Sequence, residues 1–309
     1  MKIYGDNLDA DEIFSAINDT SLECENATLP APAMHNRFSK NEYLQTVKKL
    51  QQHILRGDCY EVNFCQEFYS IGIPINPLMV YQKLSKLSPS PFSAFYRNND
   101  KYCICASPER YIAKRGTTLI SQPIKGTAKR YPEDARLDEL SKGELLNSEK
   151  EKSENVMVVD LVRNDLSKVC KEGSVKVKEL FGIYSFPQVH QMISTIEGEI
   201  SEGLIWVDVL EATFPMGSMT GAPKQRVMEL IEDFEQTKRG LFSGAIGYVD
   251  PHGNADFNVV IRSILFNADT NYISMQAGSA ITFYSDAKKE YEECLLKAAI
   301  LKLAIGAKN

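Results

Sequence analysis

Residues 147–166 read NSEKEKSENVMVVDLVRNDL, and their spacing sets how the rest of the chain is read. The pattern predicts a helix with Glu151, Glu154, Val158 and Leu161 on one face, through i, i+3 and i+7 steps. Two acids therefore continue an apolar stripe. Burying ionised carboxylates is expensive unless something positive pairs with them, so the stripe points to a cation. The arrangement recurs in SDAKKEYEECLLKAAI at 285–300, where Glu290 and Glu293 precede Lys297 and Ile300 on one face. Two helices, each offering a Glu-x-x-Glu pair, can close around one magnesium ion, a hard cation that prefers oxygen ligands. The alternative is a solvated acidic surface with i, i+4 partners such as Glu293 and Lys297. Spacing alone leaves both open.

Outward from these helices, Tyr43, Val47, Leu50 and Ile54 form a helical stripe stopped by Gly57. Apolar and polar residues alternate in CYEVNFCQEF at 59–68, a strand signal. A helix follows Pro77 to about Leu87, and residues 92–124 read as several short strands. From Pro132 to Val169 the pattern is helical, with a break at Gly143. Strands are expected at 175–181, 193–200, 242–249, 257–266 and 272–276. Helices are expected after Pro223 and from Ala287 to the end, and Trp206 is placed as a packing residue on an amphipathic helix. Strand runs alternating with helices, without regular βαβ spacing, predict an α+β protein of layered sheets flanked by helices. Residues 1–40 read as a short N-terminal arm and 41–309 as one continuous domain.

A chain of 309 residues that is 43% hydrophobic can bury a sizeable core. Its net charge of -6 argues against nucleic-acid and anionic membrane partners. The N-terminus lacks the basic and apolar regions of a secretory signal, and no stretch approaches the ~18 apolar residues of a membrane span, so a cytoplasmic protein is expected. Seven cysteines without C-x-x-C spacing suggest neither a disulfide framework nor a zinc site. Cys103 and Cys105 are read as reduced packing residues of a strand.

FPMGSMTGAPKQRVMELIEDFE at 214–235 offers Ser218 and Thr220 as turn or capping residues, and Pro223 suits a first helical turn. Such a helix start presents backbone N–H groups to an anion, with Lys224 adding charge. Arg262 in NVVIRSI can grip a carboxylate bidentately from a strand. AGSA at 277–280 reads as a tight turn where backbone meets ligand. Lys125 in SQPIKGTAKR sits between Pro123 and Gly126 at a strand end, where a partly desolvated lysine of lowered pKa is a nucleophile. The bland reading of each is a cap, a turn or a surface lysine.

Taken in order, GDCYEVNFCQ, ASPERY, QPIKGTAKR, EKSENVMVVDLVRNDLSKVC, FPMGSMTGAPKQRVMELIE, GAIGYV, DFNVVIRS, AGSAITFYSD and EYEECLLKA closely resemble the chorismate-utilising enzymes. That family contains anthranilate synthase component I, aminodeoxychorismate synthase component I, isochorismate synthase and salicylate synthase. Coverage runs from about Asn41 to the C-terminus. The resemblance implies an α/β/β/α arrangement with two roughly orthogonal, mainly antiparallel sheets, and chorismate bound with magnesium. Glu151, Glu154, Glu290 and Glu293 then correspond to the metal shell. Arg262, Tyr248 and the turn at Gly278 and Ser279 resemble the parts that hold the chorismate carboxylates, with Ser218 and Lys297 as further candidates.

Within the family, anthranilate synthases usually read PIAGT where this chain has PIKGT, and aminodeoxychorismate synthases carry the lysine. By that resemblance Lys125 attacks C2 of chorismate as the C4 hydroxyl leaves. Ammonia then adds at C4 and expels the lysine, giving 4-amino-4-deoxychorismate for 4-aminobenzoate and folate synthesis. Glu109 of SPE resembles the general acid for the departing hydroxyl, a task suited to a carboxyl held protonated near neutral pH. Isochorismate and salicylate synthases place a general-base lysine where this chain has Glu61, which counts against both. Gln191 stands where anthranilate synthases have a histidine, with His190 adjacent, and this favours a product that keeps its enolpyruvyl group. Ammonia is expected from a separate glutamine amidotransferase subunit, and the short N-terminal arm implies no tryptophan regulation. Anthranilate synthase component I is the second enzyme reading. A non-catalytic scaffold that binds an amidotransferase is the reading of a different class.

Overall fold

The computed structural model describes residues 9–19 and 30–307 of the chain. Its first half comprises α1 (Ala10–Asp19), β1 (His35–Asn36), α2 (Lys40–Leu55), β2 (Glu61–Ile71), α3 (Pro77–Leu87), β3 (Phe92–Asn98), β4 (Lys101–Ser107), β5 (Arg110–Arg115), β6 (Thr118–Gln122) and β7 (Ile124–Lys129). Then come α4 (Ala135–Asn147), α5 (Glu149–Ser167), β8 (Lys176–Ser185), β9 (Val189–Glu199), α6 (Trp206–Thr213), β10 (Gly221–Ala222) and α7 (Lys224–Phe234). The chain closes with β11 (Gly247–Val249), β12 (Ala255–Asn258), β13 (Ser263–Asn267), β14 (Tyr272–Ile281) and α8 (Ala287–Ala304).

Two antiparallel sheets result. One runs β1-β2-β14-β13-β4-β3 with β10 added to β2, and the other runs β11-β12-β5-β6-β9-β7 with β8 on β9. This is the layered α+β class that the strand and helix pattern predicts.

Strand β2 shows why the layers stack. Alternation predicts one buried and one solvated face, yet Glu61 to Phe68 are buried throughout. Val62 and Phe64 pack with Tyr43, Val47, Leu50, Val227 and Ile281, so one face meets α2 and α7. Cys65, on the other face, joins Tyr111, Ile112 and Leu119 of the second sheet and Val158, Val162 and Leu166 of α5. The polar residues of that second face are therefore interior, and each needs a partner.

Local chemistry sets the element ends. The Ser39 side chain accepts the Glu42 N–H while the Glu42 carboxylate accepts the Ser39 N–H, a reciprocal cap that starts α2. The helical break expected at Gly143 falls instead at Ser148, whose hydroxyl accepts the Glu151 N–H and opens α5. The strand expected at 242–249 is reduced to Gly247–Val249, because Ser243 takes a positive φ of 65° and Gly244 turns back onto Leu241 O. The strand expected at 257–266 splits into β12 and β13, with Arg262 at φ 50° in the gap.

Residues 277–280, read as a tight turn, are a correction: they lie inside β14 and pair with residues of β2. Trp206 opens α6 and packs on Phe257 at 5.5 Å between ring centroids. Cys59, Cys65, Cys103, Cys105, Cys170 and Cys294 are all free and buried. Of the N-terminal arm, residues 1–8 and 20–29 lie outside the described residues, whereas β1 pairs with β2 and Phe38 is buried in the core. No described helix is long and apolar enough to cross a membrane.

Gly278 is required by strand contact. A Cβ there would lie 2.1 Å from the Phe64 carbonyl oxygen and 2.7 Å from Cys65 Cα. Gly278→Ala is expected to wedge β2 from β14 and cost about 3 kcal/mol. Denaturant unfolding checks this, and an unshifted midpoint contradicts it.

Candidate active site

Lys125 sits one residue into β7, and its Nζ donates to Glu61 Oε1 at 2.8 Å and lies 3.9 Å from Glu154 Oε2. Its side chain is 12% exposed and that of Glu61 only 1%. β7 passes close to α5 because Gly126 has φ 97° and no side chain, and a Cβ there would press on Leu145 and Glu151. The expectation of a lowered lysine pKa is corrected. Burial alone pushes the ammonium down, but Glu61, Glu154 and Glu109 outweigh it and hold Lys125 above the ordinary lysine range.

Glu61 is fixed by its backbone. Ala222 of β10 pairs with it, and the Tyr60 N–H donates to Ala222 O at 2.8 Å. Gly221 has φ 134°, and a Cβ there would fall 2.0 Å from the Glu61 carbonyl oxygen. The TGAP segment, expected to face an anion, thus serves first as a short strand against β2. Pro223 is the residue before α7, and Lys224 is bound to Asp165 and to Thr213 O instead of standing free.

Glu109 lies between β4 and β5 with 5% exposure. The Ser107 hydroxyl accepts its N–H, and its carbonyl accepts the Val259 N–H, fixing the turn. Burial pushes the Glu109 carboxyl up to about 7, against the pull of a hydrogen bond from Ser218 and the charge of Lys125. Ser218 is itself buried in a short 3-10 turn, Gly217–Met219, and its carbonyl accepts from Asn63 Nδ2 at 2.7 Å. A carboxyl, a hydroxyl and a lysine thus share one electrostatic neighbourhood.

The two Glu-x-x-Glu pairs are brought near each other. Burial pushes Lys150 down, but the charges of Glu154, Glu151, Glu290 and Glu293 together hold it above its ordinary range; its ammonium lies 3.7 Å from Glu154 on a side chain that is 63% exposed. Glu290 is buried, and burial raises Glu154 despite Lys125. Oxygen donors of this kind suit a hard divalent cation. Among the described residues, however, no three such side chains already gather at ligating distance. The acidic stripe is thus partly interior: Glu290 is buried and the Glu154 side chain is 14% exposed, while Glu293 is half exposed at the surface.

The remaining candidates are distributed unevenly. Arg262 precedes β13 and is not within a strand, and its guanidinium has no hydrogen bond or ion pair among the described residues. Burial pulls it below the ordinary arginine range, with Glu293 opposing. Lys297 donates to Gly278 O at 2.8 Å and pairs with Glu293 at 2.7 Å, which links β14 to the α8 acids. The Ser279 side chain is buried beside Tyr43 of α2, on the helix-packed face. Tyr248 is 61% exposed on β11, at the edge of the second sheet, with no contact to the lysine and acid cluster among the described residues. His190 is tied to Ser185 and Asp138, while the buried Gln191 lies opposite Thr127 of β7.

Two members of the cluster escaped the sequence reading as participants. Glu61 was used only as evidence against other chemistries, and Lys150 was passed over within a Glu-rich helix. Its i, i+4 relation to Glu154, at 3.7 Å here, was the available signal.

This interior set of acids, basic groups and a glycine-lined strand crossing agrees with what a family comparison finds: chorismate binding enzymes match residues 6–302. The chain belongs to that family. It is 38% identical to aminodeoxychorismate synthase component 1 of Bacillus subtilis over 268 residues, which is 87% of this chain and 56% of that relative. It is also 38% identical to anthranilate synthase component 1 of Aquifex aeolicus over 273 residues, 87% of this chain and 54% of that one. Anthranilate synthase component I from Streptococcus pneumoniae TIGR4 superposes with a TM-score of 0.82 at 29% identity, covering 94% of this chain and 64% of that one. The fold is thus of the anthranilate synthase component I type. The chain spans little more than half the length of these curated relatives, and equal identity to both does not separate the two activities of this chorismate binding family.

The Glu109 shift has a measurable sign. The folded state holds this proton more tightly than the unfolded chain, so its contribution to stability falls as pH rises from 4.5 to about 7. Glu109→Gln has no such loss. Relative to the parent, the variant should gain stability on the order of 2 kcal/mol between pH 5 and pH 8, read by urea unfolding at both pH values. A pH-independent difference contradicts the shift.

Proposed function

We propose that this chain is the chorismate-aminating component of an aminodeoxychorismate synthase, turning chorismate and ammonia into 4-amino-4-deoxychorismate. The observation that carries the reading is Lys125, an interior lysine pointing among Glu61, Glu154 and Glu109. A lysine enclosed in this way is costly, and a role at the reacting ring accounts for it better than a surface role does.

In this reading Arg262 binds a chorismate carboxylate, being a half-buried cation without an ion-pair partner among the described residues. Glu109, its carboxyl pushed up to about 7, keeps a proton to give to the departing C4 hydroxyl. Lys125 gives a proton to water and forms a C2–N bond as the C4 hydroxyl leaves with the Glu109 proton; ammonia then forms the C4–N bond as the C2–N bond to the lysine breaks. Magnesium, when bound, supplies positive charge to a substrate carboxylate. Glu151, Glu154, Glu290 and Glu293 are the residues that would hold it. The family's component naming supports a glutamine amidotransferase partner as the source of ammonia.

Incubation with chorismate, magnesium and an ammonium salt should yield aminodeoxychorismate, which a lyase converts to 4-aminobenzoate. Anthranilate and pyruvate as main products would instead establish the second reading. Lys125→Met should lower amination at least about 100-fold, the scale of a lost nucleophile, and an unchanged turnover rules the role out. For the metal, Glu154→Gln should raise the magnesium concentration needed for half-maximal rate by roughly tenfold or more. A titration of rate against magnesium reads this, and overlapping curves would remove Glu154 from the metal shell.

A further inference from the structure

We infer that Glu61 is the positioning residue for Lys125, holding its amino group on the line toward the reacting carbon. This rests on the reading of Lys125 as nucleophile. A lysine carries its nitrogen on a flexible four-carbon stem, so attack on one ring carbon requires something to select one rotamer. Two carboxylates are near enough. Glu154 is 3.9 Å away on a helix and also shares its charge with Lys150 at 3.7 Å. Glu61 is at 2.8 Å, with a side chain only 1% exposed.

The surroundings of Glu61 give it no other task. Its Oε1 accepts from Lys125, and its buried Oε2 has no hydrogen-bond partner among the described residues. An interior carboxylate with a single donor is retained at a cost that its one contact must justify.

The backbone beneath it is held on two sides. β10 pairs at Ala222, the neighbouring Val62 pairs with Ile281 of β14, and Gly221 approaches so closely that no side chain fits. Glu61 is therefore a stiff post on a central strand, and Lys125 is the mobile arm fastened to it. The turn-like TGAP sequence acquires a role at a distance: it braces the post.

Amination kinetics on purified variants, with chorismate, magnesium and ammonium, test the inference. Glu61→Ala is expected to lower kcat about 100-fold, the scale of a misplaced reacting group, with KM for chorismate unmoved. Glu61→Gln, whose amide oxygen still accepts from Nζ, is expected to recover most of the rate. In a Lys125→Met background Glu61→Ala is expected to cost nothing more, because its effect passes through the lysine. If Glu61→Ala does not fold, Glu61→Asp, which withdraws the acceptor by one methylene, takes its place with the same expected loss. The inference is overturned if kcat is unchanged in Glu61→Ala, if Glu61→Gln is as slow as Glu61→Ala, or if the loss persists in the Lys125→Met background. Full activity of Lys125→Met alone is a different result: it removes the nucleophile reading itself, and the positioning role with it.

Discussion

A lysine ammonium enclosed by protein loses several kcal/mol of hydration unless carboxylates replace the water. Lys125 sits in such a place, and the replacement comes from Glu61, Glu154 and Glu109. These groups belong to β2, α5 and the turn between β4 and β5, while the lysine belongs to β7. Four segments distant in sequence must therefore arrive together before any one of these charges is tolerable. The arrangement of layers around this cluster is what makes the interior charge affordable.

Two packing features deliver them. β2 is buried on both faces, so its polar edge looks into the protein, where Glu61 meets Lys125 and Asn63 meets Ser218 O. Gly126, Gly221 and Gly278 each mark a crossing where a side chain would collide with a neighbouring strand or helix. Shape at these glycines and charge at these acids form one design: close approach brings carboxylates to the lysine, and the ion pair repays the burial. The Glu pairs of α5 and α8 add acidic charge beside Lys150, whose ammonium they hold above its ordinary range.

Much of this was legible from residue patterns, and the remainder has physical causes. The acidic stripe on α5 was visible as two glutamates continuing an apolar face, because helical periodicity is local. Alternation identified β2 but not that its polar face is interior, since no local signal reveals which face of a strand meets a second layer. AGSA looked like a turn because small residues serve turns and tight strand crossings alike, and only the Phe64 carbonyl distinguishes them. Arg262 was placed on a strand that its positive φ interrupts. Lys125 was expected to have a lowered pKa from burial. The opposing charge comes first from Glu61, sixty-four residues away in sequence, a pairing that tertiary contact alone creates. Equal identity to an aminodeoxychorismate synthase and an anthranilate synthase leaves the choice of activity to Lys125 and its neighbours.

The central claim is that Lys125 faces the ring of bound chorismate from its carboxylate post. A crystal structure with chorismate and magnesium tests it most directly. The account predicts C2 of the ring about 3–3.5 Å from Lys125 Nζ, the distance of a reactive approach, with a ring substituent carboxylate on Arg262. A ring bound out of reach of Lys125, with the lysine still turned wholly into Glu61 and Glu154, would contradict it.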